Sequence, residues 1–147
     1  MADLFPTFDV PAINQQNQTA ETSTPKSVMF DFNIGDFATD VGGKMIKTDE
    51  KTAWLQWCLK TAMTERYAHL GYSKNLGTEM ILAMQEPTKK AQESAIERTL
   101  TEALMADPYK RTLYVKNFVF KWSNDRLDVT FEIGNIDQVN ATLTVTI

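Results

Sequence analysis

Histidine and cysteine occur once each in the 147 residues, as His69 and Cys58. A lone histidine excludes a two-histidine metal site, and leaves a Ser-His or Cys-His catalytic pair only one base to draw on. A lone cysteine excludes an internal disulfide and fits synthesis in a reducing compartment. Long apolar runs are missing too: no window approaches the roughly 18 apolar residues of a spanning helix, so no membrane partner is expected. The first residues have neither a basic nor a continuous apolar region, so they do not read as a secretory signal. Positive charge is scarce: Lys and Arg total 15 against 19 Asp and Glu, giving a net charge of −4. With a pI near 5.0 the chain lacks the broad basic face that binding to nucleic acid or anionic lipid requires.

What is present suffices for a core. Hydrophobic residues make up 43% of the chain and aromatics 10%, ordinary values for a globular domain. Composition changes near Lys26 and divides the chain into a polar N-terminal arm, residues 1–26, and a single domain, residues 27–147. Residues 12–25 are polar and weakly charged, with almost nothing to bury, and should not order on their own. The arm begins differently, with Leu4, Phe5, Phe8 and Val10 around Pro6 and Pro11, which reads as a docking end on a tether.

The domain reads as α+β, an antiparallel sheet packed against two main helices. Residues 28–33, 37–39 and 44–46 form a small meander around Gly35 and the Gly42-Gly43 pair. Thr48 or Asp49 caps a helix in which Trp54, Trp57, Cys58 and Thr61 share one face and Ala53, Leu55, Leu59, Ala62 and Met63 widen it. That helix is expected to run to about Tyr67. A short helix follows near residues 78–84. Pro87 then opens the longest helix, residues 88–106, with Ile96, Leu100, Ala103 and Leu104 as its buried stripe. Asp107-Pro108 ends it. Leu113 and Val115 keep one parity and Phe118, Phe120 and Trp122 the other, so either a β-bulge at Lys116-Asn117 or a strand beginning only at Phe118 is expected. Leu127, Val129, Phe131 and Ile133 alternate with polar residues. So do Val139, Ala141, Leu143, Val145 and Ile147, in a C-terminal edge strand, 139–147, that carries no charge and invites pairing with a partner sheet.

No constellation reaches a catalytic or metal site. Cys58 lies on an apolar helix face, where a thiol is structural rather than nucleophilic. Glu93 and Glu97 fit a solvated helix face. Glu65 and Glu79 could each be a lone general acid, but neither has a second carboxylate at a set distance, as glycoside hydrolysis needs. Asp31, Asn33, Gly35 and Asp36 miss the glycine and glutamate positions of an EF-hand loop. The expectation is therefore a non-enzyme without cofactor or metal. Trp54 and Trp57 should anchor their helix with locally bonded indoles, and Tyr72 is a surface candidate.

The series F-D-F, G-D-F and G-G-K in residues 30–44, W-L-Q-W-C-L-K-T-A-M-T-E-R-Y in 54–67 and Y-S-K-N-L-G-T-E-M in 72–80 resembles a known family. The likeness continues through I-E-R-T-L-T-E-A-L-M-A-D-P in 96–108, N-F-V-F-K-W in 117–122 and the strand from Leu127. Order and spacing are those of the small baseplate wedge protein of contractile phage tails, in the branch of Gram-positive myophages, defective prophages and tailocins. The resemblance implies a structural part of the inner baseplate, in the virion tail, assembled in the host cytoplasm. Its implied partners are the larger wedge subunits, the tail sheath and the tube or hub, with six copies in the assembly. The wider group was historically tagged lysozyme-like, which makes a muramidase-like peptidoglycan hydrolase of the tail the alternative. That group carries a Glu-Pro-Arg motif against the wedge core bundle. The corresponding residues here are Asp107, Pro108, Lys110 and Arg111, with the basic residue displaced. Strand exchange with sheath would fall on Val139, Ala141, Leu143, Val145 and Ile147.

Overall fold

In the computed structural model of the chain, residues 27–147 are described; the N-terminal arm and its apolar end lie outside them. Two short strands, β1 (Phe30–Asp31) and β2 (Asp36–Phe37), pair antiparallel across a turn. Isolated bridges extend this meander, Thr39 to Met45 and Val28 to Lys47. Its hydrogen bonds to the rest of the domain run through Gln56, whose amide accepts from Phe30 N at 3.0 Å and donates to Val28 O at 3.1 Å. Helices α1 (Glu50–Met63), α2 (Met80–Met84) and α3 (Lys89–Met105) follow, then β3 (Thr112–Trp122), β4 (Leu127–Asn135) and β5 (Asn140–Thr146). The last three form an antiparallel sheet in the order β3-β4-β5. The expected α+β class is the observed one.

The core lies between the inner face of this sheet and helices α1 and α3. Leu127, Val129, Phe131 and Ile133 of β4 are all buried, as their alternation requires, and Ile96, Leu100 and Leu104 of α3 share their cluster, with Ala103 buried on the same helix. Trp54, Cys58 and Ala62 of α1, Ala83 of α2 and Val145 of β5 belong to the same cluster. Contrary to the expectation of a local bond, the Trp54 indole donates across the core to Thr112 Oγ1 at 3.1 Å. The β3–β4 register slips between Lys116 and Val119, and Asn117 takes φ 57°, so the bulge is where the parity change put it.

Two boundaries and one side chain differ from the sequence reading. Helix α1 stops at Met63, not near Tyr67, because Thr64 turns extended (φ −94°, ψ 129°). The following backbone pairs instead with Thr78: Arg66 N donates to Thr78 O at 2.7 Å and Thr78 N to Thr64 O at 2.9 Å. Helix α3 starts after Thr88, whose hydroxyl accepts from Ala91 N at 3.2 Å, which leaves Pro87 outside the first turn. Glu93 is not simply a solvated residue, since its carboxylate accepts from the Trp122 indole at 2.8 Å and ties α3 to β3.

Candidate functional site

Two surfaces were expected to carry contacts, the turn after α3 and the C-terminal strand. In the turn the four residues split. Asp107 is 4% exposed and Arg111 5%, and their side chains are spent on each other: Arg111 Nε lies 2.8 Å from Oδ2 and Nη2 3.0 Å from Oδ1. The same carboxylate accepts the backbone N–H of Arg111 at 2.9 Å and of Tyr109 at 3.2 Å. Arg111 also stacks on the rings of Tyr109 and Trp57. A planar guanidinium held at two points and flanked by two rings is a fixed internal support. What the turn offers outward is Pro108, Tyr109 and Lys110, with Lys110 at φ 51°. Tyr109 was missed by the sequence reading, although an aromatic between a proline and two basic residues is a usable signal.

The five named residues, in β5 and at the positions flanking it, face inward. Val145 is buried, and Val139, Ala141, Leu143 and Ile147 pack against the core cluster. Their backbones also bond to β4: Leu127 N donates to Ile147 O at 3.0 Å and Ile147 N to Leu127 O at 2.9 Å. In an antiparallel ladder such mutually bonded pairs alternate with unbonded ones. With the continuous register from Asp128↔Thr146 to Gly134↔Asn140, the N–H and C=O groups of Asn140, Thr142, Thr144 and Thr146 therefore point off the sheet. All four residues are exposed. The backbone groups left open along this edge are thus those of the even-numbered residues, while the apolar five turn inward.

The two sheet edges are not equivalent. Strand β3 carries Lys116, Lys121 and the bulge, features that blunt an edge. Strand β5 carries no charge, and its outer face is a threonine ladder in which Thr130 and Thr144 hydroxyls meet at 3.0 Å. Thr146 donates to Asp128 Oδ1 at 2.7 Å, and that bond, with Arg126 beside it, holds the Asp128 carboxyl below the usual carboxylate range.

The carboxylates weighed for hydrolysis have other occupations. Glu79 pairs with Arg66 at 3.2 Å, and Glu65 accepts from Ile81 N at 3.4 Å. Neither sits in the apolar cleft that a general acid of this type needs. Cys58 is buried, and desolvation pushes its thiol up to about 12. His69 packs edge-on against Tyr72, over whose ring the Lys60 ammonium lies at 4.8 Å.

The family model described as the contractile injection system sheath initiator matches residues 26–138. The chain belongs to that family. It is a structural component of a contractile tail baseplate, concerned with starting the sheath. The match takes in the meander, all three helices, β3 and β4, while β5 lies beyond it. No curated relative matches the chain closely enough to add to this.

Proposed function

We propose that this sheath initiator is the small wedge protein of an inner baseplate, held by the larger wedge subunits and offering the outer edge of β5 to the first ring of sheath. The observation that carries the reading is the open, uncharged edge formed by Asn140, Thr142, Thr144 and Thr146, whose outward backbone groups have no partner among the described residues. A strand added there gains main-chain hydrogen bonds without disturbing the core, because the apolar side chains of β5 stay turned inward. The wedge contact is assigned to Pro108, Tyr109 and Lys110, presented by the internal Asp107–Arg111 pair. Copies follow the ring symmetry of the tail, and the tube or hub lies to the inside.

The test separates the edge from the fold. Proline at position 142 removes an outward N–H only, and proline is tolerated in edge strands where its nitrogen faces solvent. Thr142→Pro is expected to fold and enter baseplates that then fail to grow sheath, scored by electron microscopy of assembling tails. Sheath of normal length on Thr142→Pro baseplates would refute templating by this edge.

A further inference from the structure

An apolar groove of about 460 Å³ runs between the meander and α1. Val28, Phe30, Phe32, Phe37 and Trp57 line it, together with Lys60. Phe30 meets Phe32 and Phe37 edge-on at 5.1 and 5.4 Å, which leaves Phe32 40% and Phe37 49% exposed. Three phenylalanines around an open cleft form a contiguous exposed apolar patch, which usually has an occupant.

We propose that the occupant is the start of this same chain, the segment Leu4-Phe5-Pro6-Thr7-Phe8-Asp9-Val10, docked in cis. Three observations lead there. Ser27, the first described residue, itself lines the groove, so the preceding chain departs from its mouth. The segment holds four large apolar residues within a polar arm that otherwise has almost nothing to bury, and the groove wants apolar filling. Its one charged residue, Asp9, is acidic, opposite in sign to Lys60 of the groove lining. Reach is not limiting, since the stretch from Val10 to Ser27 extends to roughly 55 Å at about 3.3 Å per residue. Closing a loop of that length costs little more than closing a short one, and tethering gives an effective concentration of order millimolar, well above that of a second copy's arm.

The experiment places cysteine in the arm and on the domain of the full chain, Cys58 being buried and inert. Thr7→Cys is paired with Phe32→Cys, with Lys60→Cys as a second groove position. The control pair uses Val41→Cys, on the same meander but fully exposed and outside the groove. Under mild oxidation of dilute protein, both groove pairs are expected to close an internal disulfide several-fold faster than the control. The preference should vanish when Leu4, Phe5 and Phe8 are replaced by serine. Equal rates at groove and control, or a preference that survives the serine replacements, would overturn the proposal. So would disulfide-linked dimers in place of internal closure, because they would make a second copy's arm the occupant.

Discussion

Asp107 and Arg111 neutralise one another inside the protein, joined at two points by contacts of 2.8 and 3.0 Å. The pair closes the turn between α3 and β3, and the carboxylate further accepts two backbone N–H groups within it. One internal ion pair thereby sets the outward pose of Pro108, Tyr109 and Lys110, which connects a stability element to a candidate contact surface.

Removing one partner of a buried pair leaves an uncompensated charge, at a cost of about 3–5 kcal/mol. Asp107→Ala should show that loss in urea unfolding, and Arg111→Lys part of it, since lysine keeps the charge but loses the two-point fork and the stacking. Lys110→Ala should stay within about 0.5 kcal/mol of wild type, as exposed sites do. Equal effects of Asp107→Ala and Lys110→Ala would show that the pair does not organise the turn.

Gly77 stands where the loop before α2 crosses the end of α1. Its φ is +98°, and an added Cβ would lie 2.6 Å from Thr64 O and 3.1 Å from Arg66 N. Those atoms belong to the backbone that pairs with Thr78, so they cannot swing aside as a side chain could. Gly77→Ala is expected to cost on the order of 2–3 kcal/mol, read as a lower urea midpoint. Gly71, with nothing within 4 Å of its would-be Cβ, is the control, and a Gly71→Ala loss as large would argue against the crossing.

Periodicity made the interior legible. The alternation at Leu127, Val129, Phe131 and Ile133 and the stripe at Ile96, Leu100 and Leu104 are buried as read, because one face of each element has only the core to meet. Pairings between distant residues were not legible. Charged residues at a turn read as surface, and only the fold brings Arg111 between Trp57 and Tyr109. The end of α1 was misplaced for the same reason, since Thr78 competes for its backbone from fourteen positions away. In β5 the apolar alternation was plain, but which parity bonds to β4 depends on register, and register decided which residues are left at the edge.

Cys58 gives a dependence on pH whose sign follows from its environment. Burial raises the thiol from 9.0 to about 12. Below pH 9 both folded and unfolded chains keep the proton, and the contribution to stability is fully present. Above it the unfolded chain ionises while the folded one does not, so stability falls as pH rises toward the folded value, by at most about 1.4 kcal/mol per pH unit. The useful quantity is the difference between wild type and Cys58→Ala, in which every other group cancels. Wild type should be the more stable near neutral pH, and its advantage should shrink by about 1.4 kcal/mol near pH 10. A difference that stays constant with pH would mean the thiol is not held protonated.

Neighbouring prolines in β5 test the register that the proposed sheath contact depends on. Leu143 faces the core and pairs with Phe131 in the bonded register, so its N–H is a donor to β4. Thr142 lies opposite Glu132, and its N–H points off the sheet. Leu143→Pro removes a ladder bond and a core side chain together, for an expected loss of about 3 kcal/mol or more. Thr142→Pro removes neither and should cost less than about 1 kcal/mol in the isolated protein, since proline is accommodated on the solvent side of an edge. Urea midpoints of the two variants decide it. If Thr142→Pro were the more damaging, the outward groups would belong to the odd-numbered residues, and the surface offered to sheath would be the apolar parity after all.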